Sequence, residues 1–382
     1  MMKSLSKKNK EKLNARLSNN ALRTLKEQSE LVDFSSNDYL GFAKSETIFD
    51  NTHQFLIDQN IKVNGATGSR LLSGNHSLYQ DVENMLSECH QSESAIIFNS
   101  GYDANLGFFS TIPQRGDIIL YDEFIHASIR DGIQLSNAKA YKFKHNDVTN
   151  LEKRVLSVRA QSRTKESEIY IVTEAVFSMD GDSPDLKKIA ELSTKNNAFL
   201  IVDEAHSVGV FNEGLVQKMN IENDVFARII TFGKAFGCHG AAILGSEDLK
   251  TYLVNFARSF IYTTGLSPHS LATIKMSYNE LKSSKSHQQK LQENIHHFIA
   301  EIKRLQLSFI PSCSAIHCCV ISGNEKVKSI SENLQKSGFD VKSILSPTVP
   351  KNRERLRFCL HSYNSKKEIT KVLELFNTFA KT

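Results

Sequence analysis

The sequence predicts an α/β protein, with a large domain on a mostly parallel, doubly covered sheet and a smaller α+β lobe after it. Three observations carry this. Between about residues 80 and 250, short runs rich in β-branched and apolar residues ("SAIIFNS", "DIILYD", "AKAYKFKH", "EIYIVTEAV", "AFLIVDEA", "ARIITFGK", "AAILG") alternate with helical patterns, the order expected of right-handed βαβ units. The runs are continuously apolar rather than alternating, as strands buried on both faces should be. After "YTTGLSPHS" the texture changes to a long polar helical stretch over residues 270–305, then "AIHCCVISG", a helix, "RLRFCL" and the amphipathic "KKEITKVLELFNTFA", which together read as an α+β lobe. The expected organisation is an N-terminal helical or extended segment at 1–40, the large domain at 41–265 and the small domain at 266–382. No internal repeat or low-complexity stretch interrupts it.

Composition sets the class. A chain of 382 residues is too long for one small core and suits two lobes. With 40% hydrophobic and 23% charged residues it has ordinary globular usage, and no apolar run approaches the roughly 20 residues of a membrane span. The formal charge of +5 comes largely from "KSLSKKNKEKLNARL", where lysines mix with Glu11 and leucines, so a solvated amphipathic helix is expected and nucleic acid and membrane are not expected partners. The segment is neither Arg-rich and acid-poor nor apolar at its centre, which points to a cytoplasmic protein. Six cysteines form no CxxC pair and no metal-ligand spacing with histidine; they read as small buried hydrophobes in a reducing compartment, and no metal is expected.

In open α/β sheets ligands bind outside the carboxyl ends of the strands. There the sequence offers Ser100-Gly101-Tyr102, Asp122 through His126, Glu174 with Ser178, Asp203 with His206, and Thr231 with Lys234. "VDEAH" could belong to a nucleotide-driven helicase, but the required GxxxxGK[ST] loop is missing: the lysine of "ITFGKAFG" is followed by Ala235, and Arg228 stands five residues before Gly233. Lys234, flanked by Gly233 and Gly237 just after a buried strand, instead suits a lysine that forms a Schiff base with a carbonyl cofactor. A pyridoxal phosphate ring would also need an acid at its pyridine nitrogen, a face partner and an anion cup. Asp203, His126 and Ser100-Gly101 at a helix start are placed to be these. Singly, each has a bland reading as a helix cap, packing histidine, ordinary turn or surface lysine; together, on consecutive strand ends, they point to one site.

The stretches "DFSSNDYLGF", "GSRLLSGNHSLYQDVE", "DEFIHASIRDG", "VTEAVFSMDGDSPDL", "VDEAHSVGVF", "TFGKAFGCHGAA" and "PTVPKNRERLRFCL" run in order from residue 33 to about 360 and resemble the α-oxoamine synthase family of fold-type I pyridoxal phosphate enzymes. The resemblance implies an aminotransferase-like fold with a mostly parallel seven-stranded sheet, a pyridoxal 5'-phosphate cofactor in the large domain, and a homodimer with active sites at its interface. By this likeness Lys234 matches the Schiff-base lysine, Asp203 the acid at the pyridinium nitrogen, His206 the partner of the phenolic oxygen and His126 the stacking histidine. Gly101, Tyr102 and Thr231 match phosphate contacts, Ser178 a residue near the phenolic oxygen, and Thr263 and Thr264 contacts to the neighbouring subunit's phosphate. Asn37 matches an active-site asparagine, Arg357 the clamp for an amino-acid carboxylate, and Arg23 and Thr348 the acyl-substrate pocket. "SSNDYLG", "KHNDV" and "FSMDGD" are most like the branch that condenses L-alanine with a pimeloyl thioester, from coenzyme A or a carrier protein, in the biotin pathway. A sister enzyme using glycine and another acyl thioester, and a non-catalytic binding protein of the same fold, are the alternatives. "TTG" at 263–265 stands where Ser-Thr-Ser is more usual, and "HSYNS" at 361–365 lacks the histidine commonly found near Asn364.

Overall fold

The computed structural model describes residues 4–25, 30–161 and 167–381. In chain order its strands are β1 (Val32–Asp33), β2 (Ser94–Phe98), β3 (Ile118–Asp122), β4 (Lys139–Phe143), β5 (Ile169–Glu174), β6 (Phe199–Asp203), β7 (Ala227–Thr231), β8 (Ala241–Gly245), β9 (Ile316–Val320), β10 (Phe339–Asp340), β11 (Lys342–Ile344) and β12 (Arg355–Cys359). The helices that matter most below are α1 (Lys7–Ser18), α2 (Glu46–Asp58), α3 (Ser77–His90), α4 (Gly101–Thr111) and α5 (Ala127–Leu135). No helix among the described residues is long and apolar enough to cross a membrane.

Two compact units emerge: one from Asn37–Ser178 and Ser183–Gln289, the other from Met1–Ser36, Met179–Asp182 and Lys290–Thr382. The change of texture near residue 265 is therefore not where the units part. The helix Pro268–Ser283 buries Leu271, Ile274 and Tyr278 and packs on α2 and α3, so its apolar face ties it to the larger unit. The 270–305 stretch is two helices, Pro268–Ser283 and Ser286–Arg304, and the second crosses the boundary.

The larger unit holds the expected seven-stranded sheet, in the order β2-β8-β7-β6-β5-β3-β4. β7, β6, β5, β3 and β4 run parallel, while β8 is antiparallel to both β7 and β2. β5 is buried at every position, consistent with its uninterrupted apolar run. β4 departs from this expectation. As an edge strand it exposes Lys139, Tyr141 and Lys142 and buries only Phe143, and its lysines guard an edge that would otherwise pair with another chain.

In the smaller unit β9, β12 and β11 form an antiparallel sheet in the order β11-β12-β9, and β1 pairs with β10 in parallel. α1 buries no side chain, as expected of a solvated amphipathic helix. Cys318, Cys319 and Cys359 are buried, but Cys313 is exposed and Cys89 and Cys238 only partly covered, so the reading of all six as buried hydrophobes holds for half of them.

A polar knot anchors the turn after β6. Glu204 is fully buried, and its Oε2 accepts from Arg228 Nε at 2.7 Å and meets Nη2 at 2.7 Å. Its Oε1 accepts from Ser207 Oγ at 2.9 Å and the Val216 amide at 3.1 Å. The Arg228 guanidinium also donates to the carbonyls of His90 (2.9 Å) and Glu213 (2.8 Å). His90 completes the knot through Tyr278 Oη at 2.7 Å; its burial, then the nearby Arg228, holds its pKa well below the usual histidine range.

The loop from β7 to β8 is closed by hydrogen bonds from Phe232 N to Gly240 O (3.0 Å) and Cys238 N to Phe232 O (2.8 Å). Phe236 stacks on Tyr278 with ring centroids 4.2 Å apart. Gly237 adopts φ +62°, and a Cβ there would strike the Ala43 backbone, so the position admits only glycine without strain.

Gly237→Ala is expected to destabilise the larger unit by about 2 kcal/mol or more, read as a lower denaturant midpoint. Arg228→Leu leaves Glu204 buried without its counter-charge and should cost about 3–5 kcal/mol, whereas replacing both partners with apolar residues should recover much of that loss in the same measurement.

Candidate active site

The carboxyl ends of β5, β6 and β7 and the starts of α4 and α5 enclose a cavity of about 230 Å³, lined by Gly101, Tyr102, His126, Asp203, Thr231 and Lys234 among others. Sheet register explains why these residues meet. Ala241 of β8 pairs with Phe98 on one side and Thr231 on the other, which brings the chain leaving β2 beside the end of β7. That chain turns at once into α4: Ser100 caps it by accepting from the Asp103 amide at 3.1 Å. In the first turn, the N–H groups of Gly101 and Tyr102 have no acceptor within the helix.

The cup suits a phosphate on this structure's own terms. A Cβ on residue 101 would sit 2.6 Å from Thr231 Cγ2, so glycine keeps the space before the helix amides open. Thr231 Oγ1 is buried and has no hydrogen-bond partner among the described residues. Helix dipole, first-turn amides and this hydroxyl converge on one spot, a recurrent anion-binding arrangement.

Asp203 ends β6 and is 5% exposed. Its Oδ1 accepts from the Ala205 amide at 2.9 Å and its Oδ2 from Asn105 Nδ2 at 3.0 Å. It lies beside Glu174 across the β5/β6 ladder. Glu174, almost fully buried, accepts from the His126 amide at 2.6 Å. Burial, then the adjacent Asp203, pushes Glu174 well above the usual carboxyl range, so it retains a proton where an exposed glutamate would be ionised.

Lys234 Nζ lies 2.7 Å from His206 Nε2, and His206 Nδ1 lies 2.7 Å from Tyr39 Oη, which donates to Asn37 Oδ1 at 3.2 Å. Ordered as donors, Lys234 gives to His206 Nε2, His206 Nδ1–H to Tyr39, and Tyr39 to Asn37. His126 caps α5, its Nδ1 accepting from the Ser128 amide at 3.2 Å. Its ring faces the open cavity, yet surrounding protein withdraws it from water enough to lower its pKa, with Lys234 adding to the effect and Asp203 opposing it.

Of the residues singled out from sequence, Gly101, Tyr102, His126, Asp203, His206, Thr231 and Lys234 line this one cavity. Asn37 joins through Tyr39. Ser178 is buried just past β5 but is not among the lining residues. Thr263 and Thr264 are held beside the end of β2, where Asn99 Nδ2 donates to Thr263 Oγ1 (3.0 Å) and the Thr264 carbonyl (2.6 Å). Arg23, Thr348 and Arg357 belong to the smaller unit. There Arg23 Nη2 donates to Thr348 Oγ1 at 3.2 Å, and Arg357 lies in β12 paired with Cys318 and Lys342.

Sequence reasoning missed Tyr39, Asn105 and Ser128, and noted Glu174 only as a strand end. Asn105 had a usable signal: it follows Gly101 by one helical turn and so shares its face. Tyr39 stands in the "SSNDYLG" stretch two residues after Asn37, but its role depends on His206, which is remote in sequence.

The chain matches the aminotransferase class I and II family over residues 29–376. The 8-amino-7-oxononanoate synthase of Emericella nidulans is 37% identical, covering 92% of this chain and 90% of that one. Among solved structures, the 8-amino-7-oxononanoate synthase of Francisella tularensis is similar at 28% identity and TM-score 0.78, over 93% of this chain and 99% of that one. A serine palmitoyltransferase variant from S. paucimobilis, solved with a pyridoxal phosphate–myriocin adduct, superposes with TM-score 0.88 at 25% identity, over 98% and 97% of the two chains. With the family match spanning most of its length and a relative this similar over nearly all of it, the chain belongs to the α-oxoamine synthase family of fold-type I, pyridoxal-phosphate-dependent acyltransferases.

Proposed function

We propose that this protein condenses L-alanine with a pimeloyl thioester, from coenzyme A or an acyl carrier protein, releasing carbon dioxide and free thiol and giving 8-amino-7-oxononanoate, a step of biotin synthesis. The observation that carries the reading is the convergence of Lys234, Asp203, His126, His206 and the amide end of α4 on one cavity. Identity to an 8-amino-7-oxononanoate synthase over most of the chain supports the choice of substrates.

Pyridoxal phosphate bound there supplies an electron sink for the carbanion that the condensation and decarboxylation both require. Lys234 would hold its aldehyde through Nζ and, when released, take the α-proton from the amino acid at the same atom. His206, which accepts from Nζ through Nε2, holds the amine in place and would hydrogen-bond the phenolic oxygen. Asp203, anchored at both carboxylate oxygens, would keep a proton on the pyridine nitrogen, and His126 would cover one ring face. Gly101, Tyr102 and Thr231 would hold its phosphate, and Ser178 would support the phenolic side from behind the lining.

Arg357 would fix the alanine carboxylate with its guanidinium fork, so that the bond to be broken is aligned for cleavage. Arg23 and Thr348, already joined by a hydrogen bond, would contact the acyl substrate, and Asn37 the reacting groups. In a homodimer, Thr263 and Thr264 would reach the phosphate of the neighbouring subunit.

A second reading keeps the chemistry and changes the substrates: a sister synthase using glycine and another acyl thioester. The close superposition on a serine palmitoyltransferase shows that sister branches share this fold, and admitting or excluding one methyl group on the amino acid is worth only about 1–3 kcal/mol.

The test is an absorption titration of the pyridoxal-phosphate-loaded protein with L-alanine and with glycine, followed by pimeloyl thioester and assay of carbon dioxide. A spectrum perturbed preferentially by alanine, with turnover on the pimeloyl donor, is expected; preference for glycine moves the protein to the sister branch. Lys234→Ala should abolish borohydride fixation of the cofactor and lower turnover at least about a thousandfold, and Asp203→Asn should keep cofactor yet lose on the order of 10²–10⁴ in rate. An active Lys234→Ala enzyme would sink the assignment.

A further inference from the structure

We infer that Asn105 is a positioning residue that ties the acid Asp203 to His126 through Ser128 and, by orienting the Ser128 hydroxyl, reinforces which nitrogen of that histidine carries the proton. The inference rests on the proposed function for its meaning, but its geometry is independent of it.

Asn105 is 2% exposed on α4, and its side chain lies among the cavity residues. Nδ2 lies 3.0 Å from Asp203 Oδ2 and 3.1 Å from Ser128 Oγ. A carboxylate only accepts, so the amide must present nitrogen, not oxygen, to Asp203. Both amide hydrogens are thereby committed, one to each partner. Oδ1 is left buried with no protein partner among the described residues, which indicates that the amide is oriented by its two donations and not by its acceptor.

The second donation has a directional consequence. Because Ser128 Oγ accepts from Asn105, its own hydrogen is free to point at His126 Nδ1, 2.7 Å away. The Ser128 amide points at the same nitrogen from 3.2 Å. Two donors converging on Nδ1 require a lone pair there, so the neutral ring carries its proton on Nε2. Protonation at Nδ1 would set a third donor against those two. The lowered pKa of His126, from its partial withdrawal from water, favours a neutral ring, and the two donors at Nδ1 then select its tautomer. Asp203, Asn105, Ser128 and His126 thus form one chain of hydrogen bonds through which β6, α4 and α5 are locked together, and the cavity meets a neutral, Nε2–H imidazole at a set angle to the Asp203 carboxylate.

The experiment uses the full-length protein labelled with 15N-histidine, cofactor-free and loaded, with His126 assigned by its loss in His126→Gln. In the cofactor-free wild type, Nδ1 is expected in the unprotonated acceptor range and Nε2 in the protonated range. Ser128→Ala, which removes the hydroxyl donor to Nδ1, should move the His126 ring-nitrogen signals in the cofactor-free protein. Asn105→Ala should draw the two ring-nitrogen shifts together and also raise the cofactor dissociation constant about tenfold or more, the loss expected when a buried carboxylate gives up a hydrogen bond. A wild-type His126 with its proton on Nδ1, or Asn105→Ala with unchanged His126 shifts, would overturn the inference. If Asn105→Ala fails to fold, the wild-type tautomer and the Ser128→Ala comparison decide it. Failure of the wild type to bind pyridoxal phosphate would defeat the proposed function alone, since the tautomer is read without cofactor.

Discussion

Glu204 has no water to fall back on, and much of the site follows from where it must find a partner. A carboxylate at zero exposure is tolerable only beside a fixed cation and donors, and here Arg228 of β7, Ser207 and the Val216 amide supply them. Residues 203–207 therefore have few positions open to them. Asp203 precedes the buried acid and His206 follows it within the same turn, so the knot behind the sheet end sets where both meet the cavity. The same guanidinium reaches the His90 and Glu213 carbonyls, which adds α3 and the turn at Glu213 to the support.

The antiparallel strand β8 does comparable work on the other side. Its pairing with both β2 and β7 brings the amide end of α4 against Thr231, and the β7–β8 loop carries Lys234. That loop is held by Phe236 stacked on Tyr278, which bonds in turn to His90 of the polar knot. The lysine, the acid and the anion cup are thus mounted on one connected set of buried contacts within the larger unit, consistent with chemistry that needs reacting groups fixed to fractions of an ångström.

Two hydrogen-bond chains order the protons around the cavity. One runs from Lys234 through His206 and Tyr39 to Asn37, the other from His126 through Ser128 and Asn105 to Asp203. Glu174, kept toward its protonated form by burial and by Asp203, stands at the His126 amide. The cavity thereby concentrates titratable groups whose surroundings assign them different tasks, a pattern characteristic of proton-transfer sites.

By itself the sequence determined the seven sheet strands, the later α+β elements, the membership of the family and the residues that end the strands, because continuous apolar runs, turn residues and local motifs are short-range signals. Asp203, Lys234 and Gly101 were legible for that reason. Tertiary structure alone decided that β4 lies at an edge with its lysines outward, that the helix after residue 268 belongs to the larger unit, and that Tyr39, Asn105 and Ser128 stand between the expected site residues. Each of these depends on which remote surfaces meet. Asn105 and Asp203 are 98 residues apart, and only the register of β2, β8, β7 and β6 makes them neighbours, since a side chain's hydrogen-bond partner is chosen by packing and not by its place along the chain.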